Sequence, residues 1–163
     1  MLKRTYENQA CSIAGALELI GERWSLLVLR DVFLGVHRFD ELAGGLGIAR
    51  NVLRDRLTLL VAEGILEKRR YQDRPERFEY HLTEKGRDLW PVIHSIMSWG
   101  DKHTPPPGGP ATVLVHRDCG GAIDGERRCA TCGAEVTVDD VKALPGPGAS
   151  PTHPLRRRLA TAR

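Results

Sequence analysis

Long apolar runs are missing from this chain. The longest strictly apolar stretches, such as Leu26-Leu27-Val28-Leu29, are far short of the roughly 20 residues a membrane-spanning helix needs. No apolar stretch follows Lys3 and Arg4 either; Thr5-Tyr6-Glu7-Asn8-Gln9 comes instead, which argues against a secretory signal. Neither sign of charge dominates. The 24 Lys and Arg face 21 Asp and Glu, for a formal net charge of +3. Residues 1–103 hold 16 basic against 15 acidic side chains and residues 104–163 hold 8 against 6, so neither half is a basic tail. Cysteine is scarce, with four in 163 residues. The expected location is the cytoplasm, where cysteines serve as metal ligands or reactive thiols more often than as disulfides. No Ser/His/Asp set, phosphate-binding loop, paired-carboxylate cleft or internal repeat is visible, so an enzyme is not expected. With 41% hydrophobic and 28% charged residues, the composition is that of a globular protein.

Proline and glycine divide the chain. Thr104-Pro105-Pro106-Pro107-Gly108-Gly109-Pro110 cannot continue a helix and reads as a semi-rigid linker. A second Pro/Gly stretch, Pro145 to Pro154, precedes Leu155-Arg156-Arg157-Arg158. The expected organisation is a compact domain over 5–103, a linker over 104–110, a small module over 111–144 and a disordered tail over 145–163.

Periodicity fills in the first domain. Ser12, Ile13, Ala16, Leu17 and Ile20 have helical spacing before Gly21, and Trp24, Leu27, Val28, Val32 and Phe33 continue it to Gly35. A short helix over 38–43 ends in Gly44, Gly45 and Gly47. Ile48 to Ala62 is a strong helix with Leu53, Leu57, Leu60 and Val61 on one face. The period then changes to two over 65–71 and 78–82, where Phe78, Tyr80 and Leu82 alternate with Glu79 and His81. These strands predict a hairpin with its loop at Gln72–Arg77. Thr83 caps a last helix carrying Leu89, Val92, Ile93, Ile96, Met97 and Trp99, kinked at Pro91.

That order of elements is the layout of a winged helix-turn-helix. The fold class is mainly α with a β-hairpin wing (α+β), followed by a small β module. On the long helix, opposite its apolar face, Arg50, Asn51, Arg54 and Thr58 are neighbours at three- and four-residue steps. Arg can pair bidentately with guanine and Asn with adenine in the major groove, and such a helix enters the groove by its N-terminal half. Arg56 shares a side with Val52 and Leu60 and suits an ion pair or a phosphate contact. Taken singly, a polar helix face is a solvated surface, and Arg74 and Arg77 in a loop are surface charge. Their conjunction in one topology is what points to duplex DNA.

The residues carry a family resemblance as well. Cys11, Leu19-Ile20-Gly21-Glu22-Arg23-Trp24, Leu29-Arg30-Asp31, Gly35, Arg38-Phe39-Asp40-Glu41-Leu42 and Gly47-Ile48 match it. So do Val52 through Leu57, Glu63-Gly64-Ile65-Leu66, Arg69, Tyr71, Pro75, Glu79-Tyr80 and Leu82-Thr83-Glu84-Lys85-Gly86. On these motifs residues 11–103 resemble the HxlR-type winged-helix regulators, related to the MarR group. The resemblance implies a homodimer built from the first and last helices and bound to a pseudo-palindromic operator. It carries DNA contact onto Arg50, Asn51 and Arg54 and onto the wing around Arg74 and Arg77; Arg69 is a further candidate contact. It also implies a small-molecule pocket at the dimer interface and an N-terminal cysteine, here Cys11, that senses oxidants or electrophiles. The family commonly has proline after that cysteine, whereas this chain has Ser12. A cysteine packed in the interface is the other reading. Independently, the last helix has more apolar surface than one small core can cover.

The other three cysteines lie in the C-terminal module. Cys129-Ala130-Thr131-Cys132-Gly133 is one knuckle, and His116-Arg117-Asp118-Cys119-Gly120 has the same shape with His in the first place. Two such pairs resemble a small zinc ribbon, since tetrahedral zinc takes four N/S ligands and a tight turn can supply two. The module's few apolar residues (Val113, Leu114, Val115, Ile123, Val136, Val138 and Val141) are too little core for its length, whereas structural zinc supplies on the order of 10–16 kcal/mol. An incidental His116, a redox dithiol or a metal-free ribbon are the other readings. The expected function is a DNA-binding transcriptional repressor acting as a homodimer, recognition helix in the major groove and wing on the adjacent backbone or minor groove. The alternative is a winged-helix protein-interaction module that does not read DNA sequence.

Overall fold

The structure, a computed structural model, describes Tyr6 and residues 10–156. Residues 157–163 of the expected tail and the first residues of the expected domain lie outside the described residues. Two compact units divide after Gly86. This division does not coincide with the Pro/Gly run at 104–110, because the last long helix falls within the second unit.

The first unit holds α1 (Ser12–Ile20), α2 (Ser25–Phe33), α3 (Phe39–Leu46), α4 (Arg50–Ala62), β1 (Leu66–Asp73) and β2 (Glu76–Leu82); the short α5 (Glu84–Arg87) crosses the division. Val28, Leu29 and Val32 from α2, Leu42 from α3, Leu53, Leu57 and Leu60 from α4, and Ile65 and Leu66 are all buried. Each contributes about 1.5–3 kcal/mol of apolar burial. Gly44 and Gly45 do not end α3. The helix runs through them to Leu46 and stops at Gly47, whose left-handed φ of 63° closes the turn into α4.

The hairpin is longer than the alternation predicts. Gln72 pairs with Arg77 and Asp73 with Glu76, so Arg74-Pro75 alone forms the turn in place of a loop over 72–77. Arg70 laces this end through Asp73 (3.2 Å) and Glu76 (3.4 Å). At its base Tyr80 N donates to His37 O (2.9 Å), and Arg38 bridges to Glu79 as a one-pair third strand. The Thr83-Glu84-Lys85-Gly86 stretch locks the wing to α4. Thr83 Oγ1 donates to Gly64 O (2.6 Å) and accepts from Gly86 N (3.1 Å), and Lys85 Nζ donates to Glu63 O (2.7 Å). A Cβ on Gly86 would stand 2.2 Å from Ile65 O, so no larger residue fits.

In the second unit, α6 spans Trp90–His103. The single kinked helix expected from Thr83 is instead two: α5 ends at Arg87 and α6 restarts at Trp90. Pro91 thereby falls in a first turn, where its missing N–H costs no helical hydrogen bond. β3 (Thr112–His116) and β4 (Val141–Pro145) pair antiparallel, His116 opposite Val141 and Thr112 opposite Pro145. The flanking segments, expected as a semi-rigid linker and a disordered tail, are hydrogen-bonded to each other. Gly146 N donates to Ala111 O (2.9 Å), Gly148 N to Pro110 O (3.1 Å), Thr112 Oγ1 meets His153 Nε2 at 3.1 Å, and Leu155 is buried. These bonds tie Gly146 and Gly148 to the end of the Pro/Gly run.

The helix α6 has two faces. Trp90, His94 and Ser98 follow at four-residue steps. Trp90 and His94 are buried, and Ser98 Cβ lies 3.7 Å from where a Gly125 Cβ would stand. On the opposite side Val92, Ile96 and Trp99 are exposed, Trp99 by 61%. Among the described residues no helix is long and apolar enough to cross a membrane.

Candidate nucleic-acid interface and metal-ligand cluster

Helix α4 turns Leu53, Leu57 and Leu60 inward, and the 3.6-residue period leaves Arg50, Asn51, Arg54 and Thr58 exposed. Its N-cap, Ala49, makes no side-chain cap and its first turn has no acidic residue. The free N–H groups and helix dipole there favour an anion. A cleft of about 430 Å³ is lined by Arg38, Asp40 and Arg50 from the α3 and α4 starts and by Tyr71, Arg77 and Phe78 from the wing. The fold thus brings Arg50 and Arg77 to one cleft from positions 27 residues apart. Arg54, Arg74 and Arg77 pair with no carboxylate among the described residues. Arg69 is held by Glu67 on its own strand (Nε–Oε1, 2.8 Å). Arg56 points elsewhere: half-buried, it pairs with Glu22 at 3.8 Å.

Sequence reasoning gave Arg38, Asp40 and Tyr71 no role. Arg38 donates to Glu79 Oε1 (3.1 Å) and lies 4.5 Å over the Tyr71 ring. The Arg38 hydrogen bond holds the Glu79 carboxyl below the usual carboxylate range. Asp40 pairs with Arg50 at 2.8 Å. These partners come from different elements, and no linear spacing reports them.

Cys11 is the N-cap of α1, exposed, with its Sγ accepting from Ala14 N at 3.3 Å. Ile13 and Leu17 beside it are exposed, Ile13 by 72%, although their spacing reads as a core face. Ala14 and Ile20 are the buried positions of that helix.

In the second unit the two knuckles repeat one geometry. Gly120 N donates to His116 O (2.9 Å) and Gly133 N to Cys129 O (2.8 Å). The closing glycines have φ of 71° and 73°, a region that favours glycine. His116 Nδ1 lies 3.4 Å from Cys119 Sγ and 3.3 Å from Cys132 Sγ, and Cys119 Sγ lies 3.4 Å from Cys129 Sγ. All four ligand atoms fall within 4.8 Å of one another. Tetrahedral zinc, with bonds of about 2.0–2.3 Å, needs edges of about 3.5–3.8 Å, so the cluster can close on such an ion with small adjustments. Gly121 makes room, since a Cβ there would stand 2.5 Å from Cys129 Sγ. The backbone N–H of Cys132, more than any other group, holds the buried Cys129 thiol down to about 6 and so favours the ligating thiolate. The His/Cys3 group could hold a metal.

Comparison with known proteins agrees with the wing and extends past it. A family model described as HxlR-like helix-turn-helix matches residues 19–107. An HTH-type transcriptional regulator of Mycobacterium tuberculosis, itself uncharacterized, is 49% identical over 147 residues, covering 90% of this chain and 92% of the relative. Among solved structures, PA1607, described as a candidate transcription factor, is similar at a TM-score of 0.67. It is 34% identical and covers 84% of this chain and 96% of its own, more of this chain than residues 1–103 comprise. The redox regulator HypR in its reduced form is similar at a TM-score of 0.53 and 30% identity, over 56% of this chain and 92% of its own. With more than half its length matched and a relative this similar along nearly all of it, the chain belongs to the HxlR-like helix-turn-helix family of DNA-binding transcriptional regulators.

Proposed function

We propose that the protein is a homodimeric repressor that reads a pseudo-palindromic operator in duplex DNA, with α4 in the major groove and the Arg74/Arg77 wing on the adjacent backbone or minor groove. The observation that carries this is the exposed Arg50, Asn51, Arg54 and Thr58 face of α4, whose first residue, Arg50, lines one cleft with Arg77 of the wing. Arg50, Asn51 and Arg54 read bases, with Thr58 farther along the groove; Arg69, Arg74 and Arg77 contact phosphates. Arg56, committed to Glu22, steadies α4 against the α1–α2 connection. Twofold symmetry sets two such helices about one DNA turn apart.

The apolar faces left bare, Ile13 and Leu17 on α1 and Val92, Ile96 and Trp99 on α6, suit a second copy of the chain, which would cover them. Trp99→Glu is then expected to shift the protein to monomer in sedimentation velocity. His116, Cys119, Cys129 and Cys132 hold a structural zinc ion, which fastens the ribbon that covers the Trp90/His94/Ser98 face of α6. Full coordination by protein leaves no open position for catalysis, and no enzymatic activity is assigned. Cys11, exposed at a helix N-terminus, is the candidate sensor of a thiol-reactive signal, within a cytoplasmic protein.

The experiment is a fluorescence-anisotropy titration against the intergenic DNA upstream of the gene, at two salt concentrations, with and without mild peroxide. With about six phosphate contacts per dimer, affinity falls by about five decades per tenfold rise in salt. Loss of binding on oxidation in the wild type but not in Cys11→Ser would assign the sensor. No binding at either salt favours the protein-interaction reading.

A further inference from the structure

The arginines of the proposed DNA face are not electrostatically equivalent. Arg54, Arg74 and Arg77 pair with no carboxylate among the described residues, while Arg69 and Arg70 are neutralised within the hairpin by Glu67 and by Asp73 and Glu76. Arg50 alone of this set is held by a different helix. Its Nη1 lies 2.8 Å from Asp40 Oδ1, and its guanidinium rests 4.8 Å from the centre of the Phe39 ring, so two successive residues of α3 hold it. The two charged side chains are 63% and 69% exposed. Asp40 has no other ion pair among the described residues, and Glu41 also stands in the first turn of α3, so the helix dipole there is matched without it. A pair this exposed is screened and weak. It can be exchanged, and a DNA acceptor that engages Arg50 Nη1 competes with Asp40 for it.

We propose that Asp40 is a specificity-determining residue, an internal competitor for Arg50 that only well-placed DNA acceptors displace. The proposal rests on the reading of α4 as the DNA-contacting helix. On an arbitrary sequence the available partners are phosphates at variable distance, behaving as mobile counter-ions, and Asp40 at 2.8 Å keeps Arg50. A register-matched guanine edge or phosphate offers two parallel hydrogen bonds, which a single carboxylate oxygen contact does not match. Asp40 therefore weakens binding to random DNA more than binding to a preferred site, and it withholds one cation per protomer from the salt-sensitive part of the interaction.

The test is a double-mutant cycle with the full-length chain: wild type, Asp40→Asn, Arg50→Ala and the double variant. The probes are two duplexes of equal length, one enriched from a randomised pool by the wild-type protein and one with the same composition scrambled. Asp40→Asn is expected to bind the scrambled duplex about two- to fivefold more tightly and the enriched duplex by a smaller factor, so that discrimination falls. Its salt dependence on the scrambled duplex steepens by about one phosphate contact per protomer. In the Arg50→Ala background the same change does nothing. Equal gains with and without Arg50 would mean that Asp40 merely repels phosphate, and would overturn the proposal, as would unchanged discrimination in Asp40→Asn. If Arg50→Ala by itself leaves both affinities unchanged, the fault lies with the assignment of Arg50 to DNA, and the proposal falls with that assignment.

Discussion

Residues 1–86 bury Val28, Leu29, Val32, Leu42, Leu53, Leu57, Leu60, Ile65 and Leu66, almost all of them fully. Residues 87–163 have nearly the same length, yet the larger side chains their described part buries are Trp90, Leu114, Val136, Val141, Pro154 and Leu155, together with Cys129, His94 and His116. The first unit is held by helices crossing over a continuous apolar centre, as a domain of its size requires. Among its described residues the second has two short strands, one long helix and a set of four N/S donors drawn to one point. Stability in the one is spread over many side chains; in the other it is concentrated where a single ion would act. The difference teaches that the first unit and the α6 unit rest on different chemistry, an apolar centre in the one and a cluster of N/S donors in the other.

Metal removal should expose the difference most strongly. Chelation, or Cys129→Ser, is expected to cost the second unit on the order of 10 kcal/mol, with amide protection lost across 111–145 and along the Trp90/His94 face of α6. Protection in α2, α4 and the wing should persist. One zinc per chain by elemental analysis is the starting point, and equal protection with and without chelator would remove the metal's role. Because α6 belongs to the unit that loosens, dimer content should fall as well. The converse is Leu57→Ala, a buried truncation expected to destabilise the first unit by about 2–5 kcal/mol. Denaturant melts should show its own transition moving while zinc content stays constant; a parallel loss of zinc would mean that the units are not separable. A smaller effect, about 1–3 kcal/mol, is expected from Arg54→Ala. Affinity for the preferred duplex should fall with both unfolding transitions unchanged, and unaltered binding would withdraw Arg54 from the interface.

How much of this was legible in the sequence differs between the units too. Leu53, Leu57 and Leu60 announced the buried face of α4, and the alternation Phe78-Glu79-Tyr80-His81-Leu82 announced a strand, because helix and strand periods are local properties. The two knuckles were legible for the same reason: each pair of ligands is three positions apart. What escaped was decided by partners distant in the chain. Pro91 looks like a kink until the break at Arg87 makes it a first-turn residue. The Pro/Gly run reads as a semi-rigid linker, and nothing in its own residues reports that Gly146 and Gly148 bond to Ala111 and Pro110 at its end. Ile13 and Leu17 have core spacing, yet both remain exposed. Asp40 and Arg50, ten residues apart on separate helices, form a pair that no pattern along either helix contains.

The mildest expected contrast concerns protons. Each unit buries a carboxyl or imidazole with one atom lacking a hydrogen bond among the described residues: Asp31 Oδ2 in the first and His94 Nδ1 in the second. Burial raises Asp31 above the usual carboxylate range, with Arg30 opposing, and lowers His94 below the usual histidine value, helped by Arg127 and opposed by Asp124. The signs follow from which state holds the proton. Between the ordinary carboxylate value and its raised folded value, Asp31 binds more protons when folded, so its contribution to the first unit grows as pH falls through that window. Between its lowered folded value and about 6.5, His94 is protonated only when unfolded, so the second unit weakens as pH falls through that window. Each tenfold difference in proton affinity is worth about 1.4 kcal/mol. Another shifted group lies nearby: Glu79, held low by Arg38, removes stability from the first unit on acidification. The comparison is therefore made within variants. Asp31→Asn should flatten one part of the acid-side stability profile of the first unit and leave the second unit's profile alone. His94→Gln should do the reverse with zinc retained. If either substitution leaves its own unit's slope between pH 4 and 7 unchanged, that buried group is not what couples the unit to pH.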